Sequence, residues 1–307
     1  GAGAAFVGGA GRQELQREAG GGGGVRFGRV RDGARGGSES EASEGGVVRT
    51  WRVASHVHST WSYDGSWSLE ELSRGFGRRG YDAVLMSEHD RGWDEERRTL
   101  HRAACREASV EGALLIPGIE YSDAENVVHV LVWGDVPFLG EGRETVETLR
   151  GAREGGGVTV LEHPTRRDAW KRWTPEWAGL LDGVEAWNRK TDGWRASEDA
   201  WGLIDQGPRA FVGHDFHRSR QFFPMGLRVR AESLEEGALL GALREGRFTA
   251  RALGMDVRGY RTGVMRAAAR CAETARRAAR DVSARRRGRA NRAQTGADRA
   301  EGEGLGR

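Results

Sequence analysis

The sequence predicts an α/β fold with a largely parallel sheet, and three observations carry that reading. Between about Thr50 and Leu253 short apolar runs recur, most of them too short for helices and several rich in Val or Ile. Helix start signals lie between the runs. The residues able to do chemistry sit just after the runs, where α/β folds place their sites. Such alternation fits an open sheet or a closed barrel, and periodicity alone does not choose between them.

Taken in order, the first run, Arg52–Val57, leads into His56-Val57-His58. Ser68 and Glu71, three residues apart, form a capping box for a helix that Gly80 closes. Ala83–Met86 is the next strand and runs into Ser87-Glu88-His89-Asp90. Asp94–Ala108 is charged and periodic, a second helix, and holds Cys105. Ala113–Ile119 and Val127–Trp133 read as strands, followed by a helix over Glu144–Arg153 that stops at a glycine run. Val158–Leu161, Gly183–Trp187, Ala210–Val212 and Leu227–Val229 are further strands. Ser233 and Glu236 form a second capping box, whose helix ends at Gly246 before the last strand, Phe248–Ala252. No internal repeat is present.

The flanks differ in kind. Residues 1–48 are mostly Gly, Ala, Arg, Glu and Ser, with little apolar area to offset ordering entropy, so disorder is expected there. From Gly254 onward 14 Arg face 6 acids, a net +8, which leaves −5 for the rest of a chain whose total is +3. The high isoelectric point therefore belongs to residues 254–307, an Arg/Ala-rich basic tail. It is expected to be a solvated appendage, with weak nucleic-acid contact as its functional alternative. Cys105 and Cys271 give no disulfide framework and no zinc-ribbon spacing. No stretch of about 18 apolar residues occurs, so no transmembrane helix is expected. With no targeting signal in view, the expected compartment is cytoplasmic.

The chain has eight histidines, and nearly all fall at predicted strand ends. His56 and His58, at i and i+2 on a strand, would share a face and reach one ion. Asp64 follows in Ser62-Tyr63-Asp64-Gly65, where Gly65 suits a turn that swings the carboxylate back. His89 lies after the second strand, Glu120 ends Pro117-Gly118-Ile119-Glu120, and His129 sits inside an apolar run. His163 precedes Pro164, which biases it towards extended backbone. Asp215 and His217, in Gly213-His214-Asp215-Phe216-His217, repeat the i, i+2 spacing. Each piece alone is weak. Together they give six histidines, two aspartates and a glutamate, the ligand types that suit zinc, manganese or iron.

In this order the motifs resemble the PHP (polymerase and histidinol phosphatase) metallohydrolases over roughly residues 50–253. The resemblance implies a distorted seven-stranded (β/α)7 TIM-like barrel and two or three divalent ions. It implies one ion on His56, His58, Glu120 and Asp215, a second on Glu120, His129 and His163, and a third on Asp64, His89 and His217. Glu88 stands where such proteins often have Asp, and His214 where they usually have a small residue. Close cations lower the pKa of a shared water to near neutrality, which implies a metal-bridging hydroxide as nucleophile, with Asp215 or His217 as candidate catalytic acids.

For substrate, Arg166, Arg167 and Arg220 are the candidate phosphate-binding residues, because guanidinium forks match phosphate oxygens. The 11 tryptophans include Trp61, Trp93, Trp170, Trp173, Trp187 and Trp194 near strand-end loops, placed for stacking on a ligand or for packing. The stretch from Arg166 to Gly179, with three of them, is a candidate lid. The leading functional reading is a phosphoesterase acting on a small phosphomonoester or nucleotide. The alternatives are a carbamate, amide or ester hydrolase of the same fold, and a non-enzymatic nucleic-acid-binding scaffold.

Overall fold

A computed structural model describes residues 47–304. The disorder expected for residues 1–48 therefore falls, but for Val47 and Val48, outside the described residues; those two are exposed. In chain order the elements are β1 (Arg49–Val57), α1 (Leu69–Gly77), β2 (Ala83–Met86), β3 (Glu88–His89), α2 (Glu95–Ala108), β4 (Leu114–Ile116) and β5 (Gly118–Ser122). Then come β6 (His129–Trp133), α3 (Thr145–Glu154), β7 (Val158–Leu161), α4 (Pro175–Ala178), β8 (Gly183–Asn188), α5 (Glu198–Ile204) and β9 (Arg209–Gly213). The chain closes with β10 (Met225–Ala231), α6 (Glu236–Arg244), β11 (Phe248–Ala252), β12 (Met255–Asp256) and α7 (Gly263–Gly304).

The strands form a mixed α/β structure with two six-stranded sheets, ordered β12-β11-β10-β1-β2-β4 and β3-β5-β6-β7-β8-β9. The expected single seven-stranded sheet is thus divided, and among the described residues no closed sheet is formed. Two short interruptions make the division. Ser87 separates β2 from β3, and Pro117, with no N–H to give to a ladder, separates β4 from β5. The sheets also depart from parallel pairing. β6 runs antiparallel to β5 and β7, and β10 antiparallel to β1 and β11. The short β5–β6 connection, held by Asp123 N–H donating to Val128 O, leaves no room for the crossover a parallel pair needs. Past the end of β9, His214 N–H donates to Ser55 O and Phe216 N–H to His56 O, while His58 N–H donates back to Phe216 O. The tip of β1 is thereby flanked by the far end of the second sheet.

Strands β2, β6, β7 and β8 are buried along their whole length, which is why they carry apolar residues in succession rather than in alternation with exposed ones; β8 buries Glu185 and Asn188 as well. Trp133, Trp187 and Phe211 are buried in the core between them. Trp133 also ties the sheets together, since its indole N–H donates to Met86 O at 2.7 Å. The capping box at Ser68 and Glu71 is formed in both directions. The one expected at Ser233 and Glu236 is not. α6 begins at Glu236 behind Glu235, whose side chain makes no cap hydrogen bond, and the Ser233 hydroxyl donates instead to the Glu235 carboxylate. Glu236 is drawn away to Arg102, 3.0 Å distant.

Core packing continues past Leu253. β12 pairs with β11, and Val257 and Tyr260 are buried in the same core as Trp187. Within α7, Ala269 and Glu273 are buried, and Glu273 accepts the Trp194 N–H at 2.9 Å. Among the described residues no helix is long and apolar enough to cross a membrane.

Candidate metal centre

The site forms where β1, β3, β5, β6, β7, β8 and β9 end. Local backbone matters as much as strand alternation. His56 lies at a register shift between β1 and β2 with φ of 61°, and Asp215 has φ of 48°. Simple i, i+2 alternation was expected to align both pairs; a bulge aligns His56 with His58 instead, and Asp215 and His217 lie beyond the end of β9. The rings of His56 and His58 come to 5.2 Å. His163 was expected to extend its strand, yet β7 stops at Leu161 and His163 has φ of 24°. Its N–H donates to Glu185 Oε2 at 2.9 Å, and its carbonyl accepts from Arg166 N–H, which hold it in a turn. Non-glycine residues in this region cost roughly 1–3 kcal/mol each and concentrate at sites of function.

Glu120 is the centre of the arrangement. Its Oε2 lies 3.2 Å from His58 Nε2, 3.3 Å from His89 Nδ1 and 3.4 Å from His56 Nε2. Its Oε1 accepts from His129 Nδ1 and lies 3.7 Å from His163 Nε2. One carboxylate therefore faces five imidazoles. Asp215 Oδ1 is 3.8 Å from Nε2 of both His56 and His58. Asp64 Oδ2 is 3.0 Å from His217 Nε2, and its Oδ1 is 3.3 Å from His89 Nε2. Gly65 allows this turn, because a Cβ there would stand 1.9 Å from Ser59 O. All nine predicted ligand residues are brought together.

Among the described residues three groups of ligand atoms each lie within 4.8 Å of one another and could hold an ion: His58, His89 and His217; His56, Glu120, Glu162 and His163; His56, His58 and Asp215. Several of these atoms are buried with no hydrogen-bond partner, among them His56 Nε2, His58 Nε2, Glu120 Oε2 and both Glu162 oxygens. Buried polar atoms are nearly always satisfied, so orphans gathered within 4.8 Å of one another fit a divalent cation. Borderline nitrogen and hard oxygen donors are the set such ions take.

The electrostatics agree. Burial works against charge on His89 and His129, but the Glu120 carboxylate prevails and pushes both up to about 9. His58 falls to about 4 through burial and the neighbouring His89 and His217. Burial alone would raise Asp215, yet His56, Lys190 and His163 hold it well below the usual carboxylate range. These carboxylates are thus anionic, and protons on His89 and His129 stand where a cation would act.

Reasoning from sequence missed two carboxylates. Glu162 is fully buried, with Oε2 2.7 Å from His56 Nε2. Glu185, also buried, accepts from His56 Nδ1 at 2.8 Å. A regular strand would turn Glu162 away from His163; only the turn at His163 lets both face the site. Glu185 lay within a strand run and carried no motif.

The centre opens into a cleft of about 540 Å³, lined on its cationic side by Arg91, Arg166 and Lys190. Lys190 Nζ is 3.1 Å from Asp215 Oδ1 and 3.3 Å from His217 Nε2. Arg166 Nη1 lies 3.0 Å from His129 Nε2. Arg167 donates to Asn126 O at 2.9 Å and does not line the cleft. Neither does Arg220, exposed on the turn Ser219–Gln221. No tryptophan lines the cleft. Trp93, Trp177 and Trp187 are buried, and Trp61, Trp170 and Trp173 pack against the core, so the lid candidate is largely packed down. Tyr63 is the aromatic at the mouth, stacked on His89 at 4.9 Å.

No protein-family model and no curated protein matches the chain. Solved structures do. A two-domain protein of Bacteroides vulgatus containing a predicted PHP-like metal-dependent phosphoesterase matches at a TM-score of 0.53 and 20% identity, over 67% of this chain. The chain spans 65% of that protein's length. PsfC of Pseudomonas syringae matches at 0.47 and 17% identity, over 68% of this chain and 94% of PsfC. A lesion-specific endonuclease of Pyrococcus furiosus matches at 0.45 and 16%, over 68% and 60% of the two chains. The Bacteroides vulgatus structure matches in three dimensions the resemblance read from the motifs, and the chain has a PHP-like fold.

Proposed function

We propose that this chain is a metal-dependent hydrolase of phosphoesters, acting on a phosphomonoester or nucleotide. The observation that carries the reading is the convergence of five histidines on the Glu120 carboxylate at the floor of a cleft with a cationic wall. The strand ends around it are read as a distorted seven-stranded barrel, counting β2 with β3 and β4 with β5 as single strands. The hydrogen bonds between the tip of β1 and residues 214–216 support closure.

Two or three ions of zinc, manganese or iron would be held. His56, His58, Glu120 and Asp215 would take one, Glu120, His129 and His163 a second, and Asp64, His89 and His217 a third. When bound, they would supply an activated water and positive charge against the developing phosphorane. The chain's own groups do the rest. Lys190 and Arg166 bind the phosphoryl oxygens and orient the ester over Glu120. Lys190 balances the charge of Asp215 and Asp64 orients His217 at 3.0 Å; with Asp215 anionic and His217 counted among the ligands, the departing oxygen takes its proton from water.

The test is metal content of protein purified without chelator, paired with turnover of p-nitrophenyl phosphate, bis-p-nitrophenyl phosphate and naphthyl carbamate. Two or three ions per chain with phosphoester turnover is the expected result. Turnover of the carbamate alone would replace the phosphoester reading with that of a carbamate hydrolase. No ion bound after supplying zinc and manganese would end both.

A further inference from the structure

Glu162 stands next to His163 in sequence but was not needed for any of the nine ligand positions. Its side chain is completely buried, and neither carboxylate oxygen has a hydrogen-bond partner. A carboxylate in that state is rare, because losing its water without replacement costs several kcal/mol. The neighbours explain where it points. Oε2 is 2.7 Å from His56 Nε2 and 3.5 Å from His163 Nε2, and Oε1 is 3.6 Å from His129 Nδ1. None of these contacts has hydrogen-bond alignment at Glu162. One oxygen of Glu162 lies with donor atoms of His56, Glu120 and His163 in a group whose members are all within 4.8 Å of one another.

We infer that Glu162 is itself a metal ligand, closing a site of two imidazoles and two carboxylates with His56, Glu120 and His163. The inference rests on the metal-dependent reading above and regroups its donors: with Nδ1 on Glu185, His56 has only Nε2 for an ion, and here it serves the ion at Glu162 in place of the one with His58 and Asp215. Its consequence is an asymmetry between the two ends of the centre. The Glu162 end offers two nitrogens and two anionic oxygens, so a divalent cation there is neutralised by its own ligands. The other end, His58, His89 and His217, offers three imidazoles. Carboxylate donors suit manganese, whereas imidazole-rich sets favour zinc. The Glu162 end is therefore the site for the harder ion.

The test is calorimetric titration of the metal-free protein with Mn²⁺, and with Co²⁺ read by its visible spectrum, for wild type, Glu162→Gln and Glu162→His. Glu162→Gln should weaken one Mn²⁺ site by more than about 100-fold, beyond the 10–100-fold typical of residues that only orient a ligand. It should leave the remaining sites in place. Glu162→His should restore an ion at that site with a shifted Co²⁺ spectrum and a preference moved from Mn²⁺ towards Zn²⁺. Unchanged Mn²⁺ affinity and Co²⁺ spectrum in Glu162→Gln would overturn the inference while leaving the metal centre intact. Wild type that binds no ion would instead overturn the reading it rests on. A Mn²⁺-soaked crystal of wild type decides the matter should both variants fail to fold. Anomalous density within bonding distance of a Glu162 oxygen supports the assignment, and an ion on His56, Glu120 and His163 with Glu162 turned away overturns it.

Discussion

His56 Nδ1 stands 2.8 Å from Glu185 Oε1, with both side chains buried and the two residues on β1 and β8. The Nδ1–H donates to the carboxylate, which leaves Nε2 to face Glu120. Glu185 also accepts from His163 N–H and Asn188 Nδ2, each at 2.9 Å, so one group sets the orientation of two ligand residues. Groups of this kind typically hold 10–100-fold of metal affinity. Glu185→Gln is expected to lower affinity for Mn²⁺ or Zn²⁺ by about that factor, read by titration calorimetry. Gly213 tests the same relationship from the far side, since a Cβ there would lie 1.7 Å from Glu185 Oε1. Gly213→Ala should reproduce the loss, and wild-type affinity in both variants would show that Glu185 does not position His56.

The cationic wall of the cleft separates substrate-binding residues from bystanders. Lys190 lines the cleft beside Asp215, whereas Arg220 is exposed on a turn away from it. A charge-assisted hydrogen bond to a phosphoryl oxygen is worth about 1.5–3 kcal/mol. Lys190→Ala should therefore lower kcat/KM for p-nitrophenyl phosphate by on the order of 10–100-fold. Arg220→Ala should stay within about twofold of wild type. The reverse ranking would mean that the ester enters from the side of the Ser219–Gln221 turn.

That contrast marks the limit of what the sequence could reveal. His56, His58, His89, Glu120, His129, His163, Asp215 and His217 were legible because metal ligands must be of a few types and strand ends must present them. Their distance from Arg220 was not, because nothing in Arg218-Ser219-Arg220 says which way a turn faces. Glu162 was hidden by the rule that adjacent residues on a strand diverge, which a φ of 24° at His163 breaks. The strands were legible as apolar runs. Their division into two sheets depends on single residues, Ser87 and Pro117, whose effect on pairing appears only when the neighbouring strands are in place.

The junction between the sheets offers a stability test. Trp133 is fully buried on β6, and its indole N–H satisfies Met86 O at the break between β2 and β3. Trp133→Phe keeps most of the apolar volume but leaves that carbonyl without its partner, a loss of about 1–3 kcal/mol. For a domain of this size the thermal midpoint should fall by roughly 2–4 °C per kcal/mol. A midpoint within a degree of wild type would show that the carbonyl finds another donor.

Glu273 ties helix α7 to the body of the protein beside the pairs of Arg266 and Arg270 with Glu198, and its share of the attachment should depend on pH. Glu273 is 3% exposed. It accepts from Trp194 N–H at 2.9 Å, from Arg276 Nε at 2.6 Å and from Arg277 Nε at 2.7 Å. Burial alone would raise its pKa, but Arg276 and Arg277 bring it down to about 2 from an ordinary 4.5. A depressed carboxylate contributes stability that is fully present above its unfolded value and lost as pH falls through its folded value. The contribution should accordingly be complete above about pH 5 and fade between about 4.5 and 2. Hydrogen exchange of residues 263–283 reads this directly. In wild type, protection should drop over that window, while Glu273→Gln should be weakly protected at pH 7 and change little on acidification. Equal protection in both proteins at pH 7 would show that apolar contacts around Ala269, rather than Glu273, hold the helix in place.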